Sequence, residues 1–517
     1  MGQAKRTFFG LMLGLMALSY VPASAQSDLI LPLLRYVPQR DRINPAYVND
    51  SRLFLGLPLL SSNNINVSLP FAYSDLFVKA EDDSLQFDVA GVADALGKGN
   101  LVSINADLDL LAFNFRVRRT WVSFNATERI MARAVLPGDL LKFAALGNGE
   151  FIGQTIDAST LNFDATHLRE YALGVATQFA EGKVTVGVRL KYLYGMENIS
   201  TENRGISLYT DPEFFDLTAK ADFSVNSSGF FGDGGFSSIG NSVSNYLFSR
   251  NNHGFAADLG VSARIKDKWT VSASLTDLGT INWNEKPVNH MMDGKDFTFR
   301  GVDLGSLFAQ GDTTDKLVTV LDSLSATFGF VERDKDYTTW LPTRFNIAGT
   351  YDIDAKSMVQ LTFQGEVFKG QFEPTVAVGI NRQFGKVFGL GLTYAYRNRS
   401  WANVGLGFAL TVGPMQWYMA VDNIIGAIVP QHANVAHFHG GLNFVIGAGQ
   451  GPRMPKNRDR DSDKDGITDQ HDPCPDKPGP AETKGCPDAD MDGVPDHLDH
   501  CMFEPGLQQF EGCPEAH

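Results

Sequence analysis

The stretch DSDKDGITDQHDPCP, Asp461–Pro475, carries a dense group of side chains whose type and spacing could do chemistry. Its aspartates stand at every second residue and then at longer intervals, with one glycine and one cysteine among them. The stretch is nearly devoid of apolar side chains, so a hydrophobic core cannot order it. Carboxylate oxygens gathered in this number indicate a bound hard cation.

The pattern D-x-D-x-D-G-x-x-D-x-x-D-x-C occurs twice, and the shift from Asp461 to Asp488 is 27 residues. Carboxylates at positions 1, 3 and 5 of a tight loop converge, glycine at position 6 permits the turn, and the carbonyl of position 7 turns inward. A flexible oxygen shell of this kind suits Ca²⁺ better than Mg²⁺. The predicted Ca²⁺ ligands are Asp461, Asp463, Asp465, Ile467, Asp469 and Asp472 in the first copy, and Asp488, Asp490, Asp492, Val494, Asp496 and Asp499 in the second.

The two copies differ from an EF-hand, because Pro473 and Pro475 stand where its second helix should start. They resemble thrombospondin type 3 repeats instead, including the C-P-x-x-P-G spacer of residues 474–479. That resemblance covers about residues 457–514 and implies a calcium-wrapped segment with little secondary structure, of a kind that often joins an outer-membrane barrel to a periplasmic domain. Asp459 continues the series upstream, so a second ion could share the first repeat; the second repeat lacks this extension.

All four cysteines, Cys474, Cys486, Cys501 and Cys513, fall in the last 44 positions. Paired cysteines in one short exported segment indicate an oxidising compartment and local disulfides. Two bridges that each span twelve residues, Cys474–Cys486 and Cys501–Cys513, are favoured, and Cys486–Cys501 is the competing arrangement. Residues 457–517 contain 16 acidic and 5 basic side chains, a net charge of −11 out of −15 for the whole chain. Nucleic acid is therefore an improbable partner, and the tail should lose its order without calcium.

The first residues have the layout of a secretory signal peptide. Lys5 and Arg6 are followed by the apolar run Phe8–Val21 and by a small-residue site that ends at Ala25. The alternative, a membrane-anchoring helix, is disfavoured because the run is shorter than the ~20 apolar residues that span a bilayer. The sequence predicts a signal peptide over residues 1–25. Since no cysteine lies near the cleavage site, we do not expect a lipoprotein.

Residues 51–448 contain many strand patterns of about ten to twelve residues, longer than the ~5–6 residues that are usual in soluble proteins. Apolar side chains alternate with small or charged ones, for example in KVTVGVRLKYLY, residues 183–194. An apolar outside and a polar inside are typical of outer-membrane barrels. The sequence predicts an all-β transmembrane barrel of about fourteen antiparallel strands, eleven of them from Leu168 onward. A large secreted β-protein is the alternative.

The lengths of the connections support the barrel, because short periplasmic turns should alternate with longer external loops. Short connections are predicted near residues 181–182, 266–267, 355–356, 385 and 413–414, and long insertions over about 196–253 and 281–338. Residues 26–50 are predicted to form an N-terminal segment that could plug the barrel, residues 449–457 a linker, and residues 458–517 the two calcium-binding repeats in the periplasm. Side chains predicted to line the lumen are Arg189, Lys191, Asp258, Arg264 and Glu366.

The stretch Ile43–Phe71 resembles the start of an outer-membrane barrel family common in the Bacteroidota, which is itself similar to the FadL and PorV barrels. The matching motifs are Asn44-Pro45-Ala46, then Leu55-Gly56-Leu57-Pro58, then Leu60-Ser61-Ser62. The resemblance implies about fourteen strands with an N-terminal segment in or under the lumen. FadL-like members pass hydrophobic molecules, and PorV-like members serve secretion machinery.

No catalytic constellation is present in the sequence, so we do not expect an enzyme. His437 and His439 would share one face of the last strand, either as a metal pair or as ordinary wall residues. The favoured hypothesis is a structural or accessory subunit in the outer-membrane lipid, whose calcium-binding tail docks a periplasmic or outer-membrane protein. The alternative is a FadL-like channel with a hydrophobic ligand in its lumen.

Overall fold

A computed structural model describes residues 28–49, 51–71, 74, 77–79, 85–88, 100–229, 252–299, 331–385, 387–397, 400–429, 434–447, 461–469 and 471–514. The chain divides into two compact units, residues 1–449 and residues 450–517. The predicted signal peptide, the predicted linker 449–457, Asp459 and much of both long insertions lie outside the described residues.

The first unit is built almost entirely from β-strands. They are β1 (Leu53–Gly56), β2 (Asn63–Ser68), β3 (Phe77–Lys79), β4 (Leu85–Phe87), β5 (Asn100–Val117), β6 (Thr120–Leu136), β7 (Thr155–Asp157), β8 (Asn162–Phe179), β9 (Val184–Thr210), β10 (Leu217–Ser228), β11 (Asn252–Lys266), β12 (Trp269–Trp283), β13 (Val288–Phe299), β14 (Val331–Arg333), β15 (Tyr337–Trp340), β16 (Thr343–Asp352), β17 (Ser357–Phe368), β18 (Gln371–Phe384), β19 (Phe388–Arg397), β20 (Ser400–Val412), β21 (Met415–Val421) and β22 (Val435–Ile446). The helices are α1 (Gly138–Leu146) and α2 (Ile424–Ile428), with 3-10 turns at Leu31–Leu33, Pro38–Arg42, Gly149–Phe151 and Ala180–Gly182.

The strands of the described residues close into an antiparallel barrel of fourteen positions. The short strands β1 and β2 together fill the first position, and the ring continues through β5, β6, β8, β9, β11, β12 and then β16 to β22. Both short strands pair with β22 on one side and β5 on the other, so the first and last positions meet. The predicted fold and strand number are confirmed, including eleven positions from β8 onward.

The two faces of the barrel wall differ in the way that the alternation predicts. Leu190 on β9 is 62% exposed on the outer face, whereas its neighbour Lys191 is only 6% exposed and faces inward. Val186 and Val188 share the outer face with Leu190. Because successive side chains of a strand point to opposite faces, the apolar set covers the outside and the polar set fills the lumen.

The connections at one end of the barrel are short, as predicted. The turns between β8 and β9, β11 and β12, β16 and β17, β18 and β19, and β20 and β21 contain no more than four residues each. At the other end, β9 continues beyond the wall to Thr210 and pairs there with β10, which pairs in turn with β13. The predicted long insertions therefore contain strand as well as loop. None of the helices in the described part of the chain has the length and hydrophobicity of a membrane span.

The first barrel position is interrupted between β1 and β2, at residues 57–62. At this break Ser61 and Ser62 are fully buried. Ser61 Oγ donates to Asp109 Oδ2 at 3.1 Å, and the Ser61 carbonyl accepts from Gln39 Nε2 at 2.9 Å and from Tyr418 OH at 3.0 Å. The break therefore turns hydrogen-bonding groups inward, toward the N-terminal segment.

The second unit has no α-helix and no extended strand ladder in its described residues, 461–469 and 471–514. Two 3-10 turns are present, at Ala481–Thr483 and Gln508–Phe510. Two disulfides, Cys474–Cys486 and Cys501–Cys513, each span twelve residues, which is the arrangement that the cysteine spacing favoured.

Candidate functional site

The N-terminal segment, residues 28–49, lies inside the barrel. Its apolar side chains are almost fully buried and pack on wall residues from β17, β20 and β21. This cluster consists of Ile30, Leu31, Leu33, Leu34 and Val37 of the segment with Met358, Ala409, Tyr418 and Ala420 of the wall. A hydrophobic contact inside an otherwise polar lumen holds the segment against one side of the wall.

Glycines on the inward face of the wall make this contact possible. A Cβ built on Gly407 would overlap Ile30, and one on Gly379 would overlap Leu33. On the other side of the lumen, a Cβ on Gly187 would overlap the backbone of Pro45. Here glycine is needed for close approach of the segment rather than for backbone conformation. Glycines on the inward faces of several strands therefore determine where the N-terminal segment contacts the wall.

The rest of the lumen is crossed by a charged belt, defined as Arg129, Arg133, Glu170, Arg189, Lys191, Asp258, Asp277, Arg344 and Glu366. Asp277 is its centre: its carboxylate accepts from Arg129 at 2.9 and 3.0 Å, from Lys191 at 2.7 Å and from Arg344 at 3.3 Å. Lys191 also lies 2.8 Å from Asp258. All these side chains except that of Arg344 are at most 7% exposed. Buried charges persist only when they are paired in this way.

One link of the charged belt runs across the lumen. Arg133 on β6 donates to Glu366 Oε1 on β17 at 2.9 Å, and Arg344 on β16 donates to Glu366 Oε2 at 2.9 Å. The strands β6 and β17 are six positions apart in a ring of fourteen, so they face each other. The belt has five cationic and four carboxylate side chains, and Asp41 of the N-terminal segment supplies a fifth carboxylate 2.8 Å from Arg189.

A cavity of about 110 Å³ lies between the N-terminal segment and the charged belt. Leu31 and Ile43 of the segment and Phe345 of β16 give it an apolar side. Its polar lining includes Asn64, Asn105, Asp107, Arg344, Glu366 and His437. The cavity thus offers an apolar surface beside hydrogen-bonding groups.

The segment is also fixed by polar contacts near its start. The backbone N–H groups of Leu29 and Ile30 donate to Asp422 Oδ1 at 3.1 and 3.3 Å. Asp28 accepts from the Leu31 N–H at 2.8 Å and contacts the ring of His439. Both His437 and His439 of β22 are buried here, so the residues that the sequence placed on one face of the last strand point into the lumen.

The structure confirms that the lumen-facing charges predicted on the wall are buried, with Arg264 as the exception. Its guanidinium lies near a barrel end, 22% exposed and 3.7 Å from Asp352. Sequence reasoning missed Asp277, Arg129 and Asp28. Asp277 escaped notice because β12 has a positive φ there, 60°, which shifts the alternation on which the inward set was chosen.

In the second unit, the first three aspartates of each repeat come together. The carboxylates of Asp461, Asp463 and Asp465 offer oxygen atoms that all lie within 4.8 Å of one another, and Asp488, Asp490 and Asp492 do the same. The glycine at position 6 has φ of 94° in the first copy and 91° in the second, which is the turn that the pattern required.

Backbone N–H groups hold these carboxylates in the same way in both copies. Asp461 accepts from Lys464 and Gly466 at 2.6 and 2.9 Å, and Asp488 accepts from Met491 and Gly493 at 2.8 and 2.9 Å. Of the other predicted ligands, Asp469 accepts from the Ser462 N–H at 2.8 Å, and Asp496 accepts from its counterpart Ala489 at 2.7 Å. Asp472 and Asp499 are nearly buried, each accepting a 2.7 Å bond from the next cysteine N–H.

The central carboxylate of each loop is left without a full set of partners. Asp463 Oδ2, Asp490 Oδ2 and Asp472 Oδ2 are shielded from solvent and accept no hydrogen bond. Partial desolvation raises the pKa of Asp463 above its usual range, and the carboxylates of Asp465 and Asp472 add to the rise against the opposing Asp465 N–H. The pKa of Asp490 is raised for the same reasons. Crowded acceptors of this kind are what a cation would relieve.

Comparisons with known proteins show likeness to solved outer-membrane barrels at low identity. The Ralstonia pickettii toluene transporter TbuX aligns with 82% of this chain and 95% of its own at 10% identity and TM-score 0.35. The Pseudomonas putida toluene transporter TodX covers 82% and 95% at 8% identity and TM-score 0.33. A Pseudomonas aeruginosa FadL homologue covers 82% and 98% at 8% identity and TM-score 0.36.

A search of curated proteins found no match. The profile of one family does match, over residues 45–422. This range includes most of the barrel and the motif Leu55-Gly56-Leu57-Pro58. The chain belongs to DUF5723, a family of unknown function.

Proposed function

We propose that this protein is a non-enzymatic channel of the bacterial outer membrane that passes small hydrophobic molecules and is closed by its own N-terminal segment. The outer face of the barrel supports the membrane location. Leu190, Phe255, Leu361 and other apolar side chains are largely exposed there, and only lipid would cover them favourably.

One observation carries the proposed channel: an apolar segment sits on an apolar, glycine-lined part of the lumen next to a cavity. If residues 28–37 leave this seat, the wall around Met358, Ala409 and Tyr418 becomes a hydrophobic path beside the cavity. The charged belt would remain in place, because its ion pairs join side chains of the wall strands to one another, apart from the contact between Arg189 and Asp41 of the segment. The toluene transporters TbuX and TodX name one class of molecule that such a path would admit.

The test is to lock the N-terminal segment with a disulfide. A Cβ on Gly391 would lie 3.7 Å from the Cβ of Leu33, within the Cβ–Cβ range of natural disulfides. In the double variant Leu33→Cys/Gly391→Cys, we expect cells to take up radiolabelled toluene only after reductant is added. Cells that make the unmodified protein should take it up with or without reductant, and each single variant serves as a control.

Two outcomes would contradict this proposal in different ways. If the unmodified protein does not raise toluene uptake above that of cells without it, the channel function is wrong. If the oxidised double variant takes up toluene as well as the unmodified protein, transport does not require the N-terminal segment to move.

The tail supports a second candidate function, in which Ca²⁺ stiffens both repeats in the periplasm for docking to a protein partner. The observation in its favour is the duplicated carboxylate loop, which a simple pore would not need. The predicted ligands remain those of the two repeats, with the carbonyls of Ile467 and Val494 at position 7. Affinity purification from membranes in mild detergent tests this candidate, and recovery of the barrel alone both with calcium and with chelator would refute it.

A further inference from the structure

Four buried side chains meet where the N-terminal segment begins. Asp28 belongs to the segment, Asp422 follows β21, and His437 and His439 belong to β22. Oxygen atoms of the two aspartates and a ring nitrogen of His437 all lie within 4.8 Å of one another. His439 Nδ1 contacts Asp28 Oδ2 directly. All four side chains are shielded from solvent by the wall and the segment.

The hydrogen bonds around His437 determine where its protons lie. Asn64 Nδ2 donates to Asp107 Oδ2 at 3.1 Å, so the amide oxygen of Asn64 is the atom that faces His437 Nε2 at 3.1 Å. An oxygen there requires a hydrogen on Nε2. In the neutral ring, Nδ1 then carries a lone pair and no hydrogen.

That lone pair points into the group of four residues. His437 Nδ1 is buried and has no hydrogen-bond partner, although Asp422 Oδ2 lies only 3.2 Å away. A lone pair opposite a carboxylate is repulsive unless a proton or a metal ion lies between them. The geometry is not that of a hydrogen bond, which argues for an ion that both atoms could share.

His439 is arranged differently, because its Nδ1 is hydrogen-bonded directly to Asp28 Oδ2. Its Nε2 lies 2.8 Å from Ser62 Oγ and 3.2 Å from Tyr418 OH. A hydroxyl that donates to Nε2 leaves the ring hydrogen on Nδ1, where it is donated to Asp28. A hydrogen bond of this kind orients a carboxylate that binds a metal.

We propose that Asp28, Asp422 and His437 bind one Zn²⁺, which fastens the N-terminal segment to the barrel wall, and that His439 orients Asp28. Two carboxylate oxygens and one imidazole nitrogen are ligands that Zn²⁺ accepts, and a water would complete its four-coordinate shell. Arg397 Nη1 lies 3.4 Å from Asp422 Oδ2 and offsets part of the carboxylate charge. The inference does not depend on which molecule the channel passes.

The test uses the full-length protein purified in detergent without a polyhistidine tag. Excess Ca²⁺ is included so that the tail carboxylates are occupied. We expect about one Zn²⁺ per chain by elemental analysis, and Co²⁺ in its place should give the strong visible absorption of a tetrahedral site. His437→Gln should lose the metal and the Co²⁺ spectrum, and His439→Gln should weaken metal binding by about 10-fold or more, because it removes the hydrogen bond that orients Asp28. His167→Gln, which changes another histidine paired to a carboxylate of the wall, should keep both.

The competing explanation is a proton, which would make His437 an imidazolium ion. Zn²⁺ content equal in the unmodified protein and in both glutamine variants would overturn the proposal, as would an octahedral Co²⁺ spectrum. Circular dichroism and heat-dependent gel mobility show whether each variant retains the barrel. If a variant does not, the Co²⁺ spectrum of the unmodified protein decides alone.

Discussion

The barrel and the tail hold their backbone in place and balance their charged side chains by opposite means. In the barrel, ladders of backbone hydrogen bonds run around a closed ring, and charged side chains inside it are neutralised by one another, as Asp277 is by Arg129 and Lys191. In the tail, carboxylates replace the ladder and accept from backbone N–H groups of their own loop. The barrel therefore contains its counter-ions, whereas the tail carboxylates have few cationic side chains around them.

The two units should therefore be destabilised by different changes in their surroundings. A ladder that closes on itself has no open edge and needs nothing from outside except lipid. For loops built on crowded carboxylates we expect a dependence on a cation from solution, because like charges within 4.8 Å repel one another.

Removing calcium should separate the two units most clearly. With excess chelator we expect the tail, residues 461–514, to become fully sensitive to protease, while the barrel strands stay resistant. The reason is that Asp463 Oδ2 and Asp490 Oδ2 are shielded from solvent and accept no hydrogen bond that would offset their charge. Limited proteolysis with mass spectrometry measures this sensitivity. A tail that is equally resistant with calcium and with chelator would show that its order does not depend on a bound cation.

Neutralising one charge of the belt should destabilise the barrel strongly. Asp277→Asn keeps a side chain that tolerates the positive φ at this position, but it leaves Arg129, Lys191 and Arg344 without their shared carboxylate. We expect the free energy of unfolding in lipid vesicles to fall by about 3 kcal/mol. Urea unfolding followed by tryptophan fluorescence measures it. The matched control Asp354→Asn, in an exposed turn, should change little.

Filling one inward glycine should loosen the N-terminal segment without opening the ring. In Gly407→Ala the new Cβ would overlap Ile30, and overpacking of this kind costs about 2 kcal/mol. We expect faster proteolysis within residues 28–37 while the barrel stays folded. In the control Gly349→Ala, where a Cβ would meet nothing within 4 Å, the cleavage rate should stay at that of the unmodified protein.

Removing an exposed ion pair should have the smallest effect. Arg204 lies 3.5 Å from Glu202 near the end of β9, and both side chains are more than half exposed. We expect Arg204→Ala to change the free energy of unfolding by less than about 0.5 kcal/mol, because solvent screens such pairs. A loss as large as that of Asp277→Asn would show that burial does not set the strength of charge pairs in this protein.

The fold could be predicted from the sequence because its signal is repeated in every strand. The alternation around Val186, Val188 and Leu190 recurs along the wall, and the short turns recur at every second connection. The tail loops were visible for the same reason, since the spacing from Asp461 to Asp472 is repeated from Asp488 to Asp499. Repetition averages out local exceptions, so both units could be recognised.

The interior of the lumen was harder to predict because it depends on long-range contacts. Arg133 and Glu366 are 233 residues apart in the chain, and Asp28 and His439 are 411 apart. Alternation shows that such a side chain faces inward, but not which strand lies opposite. In the sequence, Ser61 stood out only as part of the motif Leu60-Ser61-Ser62. That it interrupts the first strand position and contacts Gln39 and Tyr418 could be seen only in the structure.

The interrupted first position also bears on how the molecule assembles. Ser61 and Ser62 lie between the two short strands that join the start of the barrel to its end, and they bond both to the N-terminal segment and to the neighbouring strands β5 and β22. Closing the ring and placing residues 39–42 of the segment therefore draw on the same group of hydrogen bonds. A chain whose segment stayed outside would lose the bonds from Gln39 and Arg42 to this junction, so the segment reinforces the place where the two ends of the barrel meet.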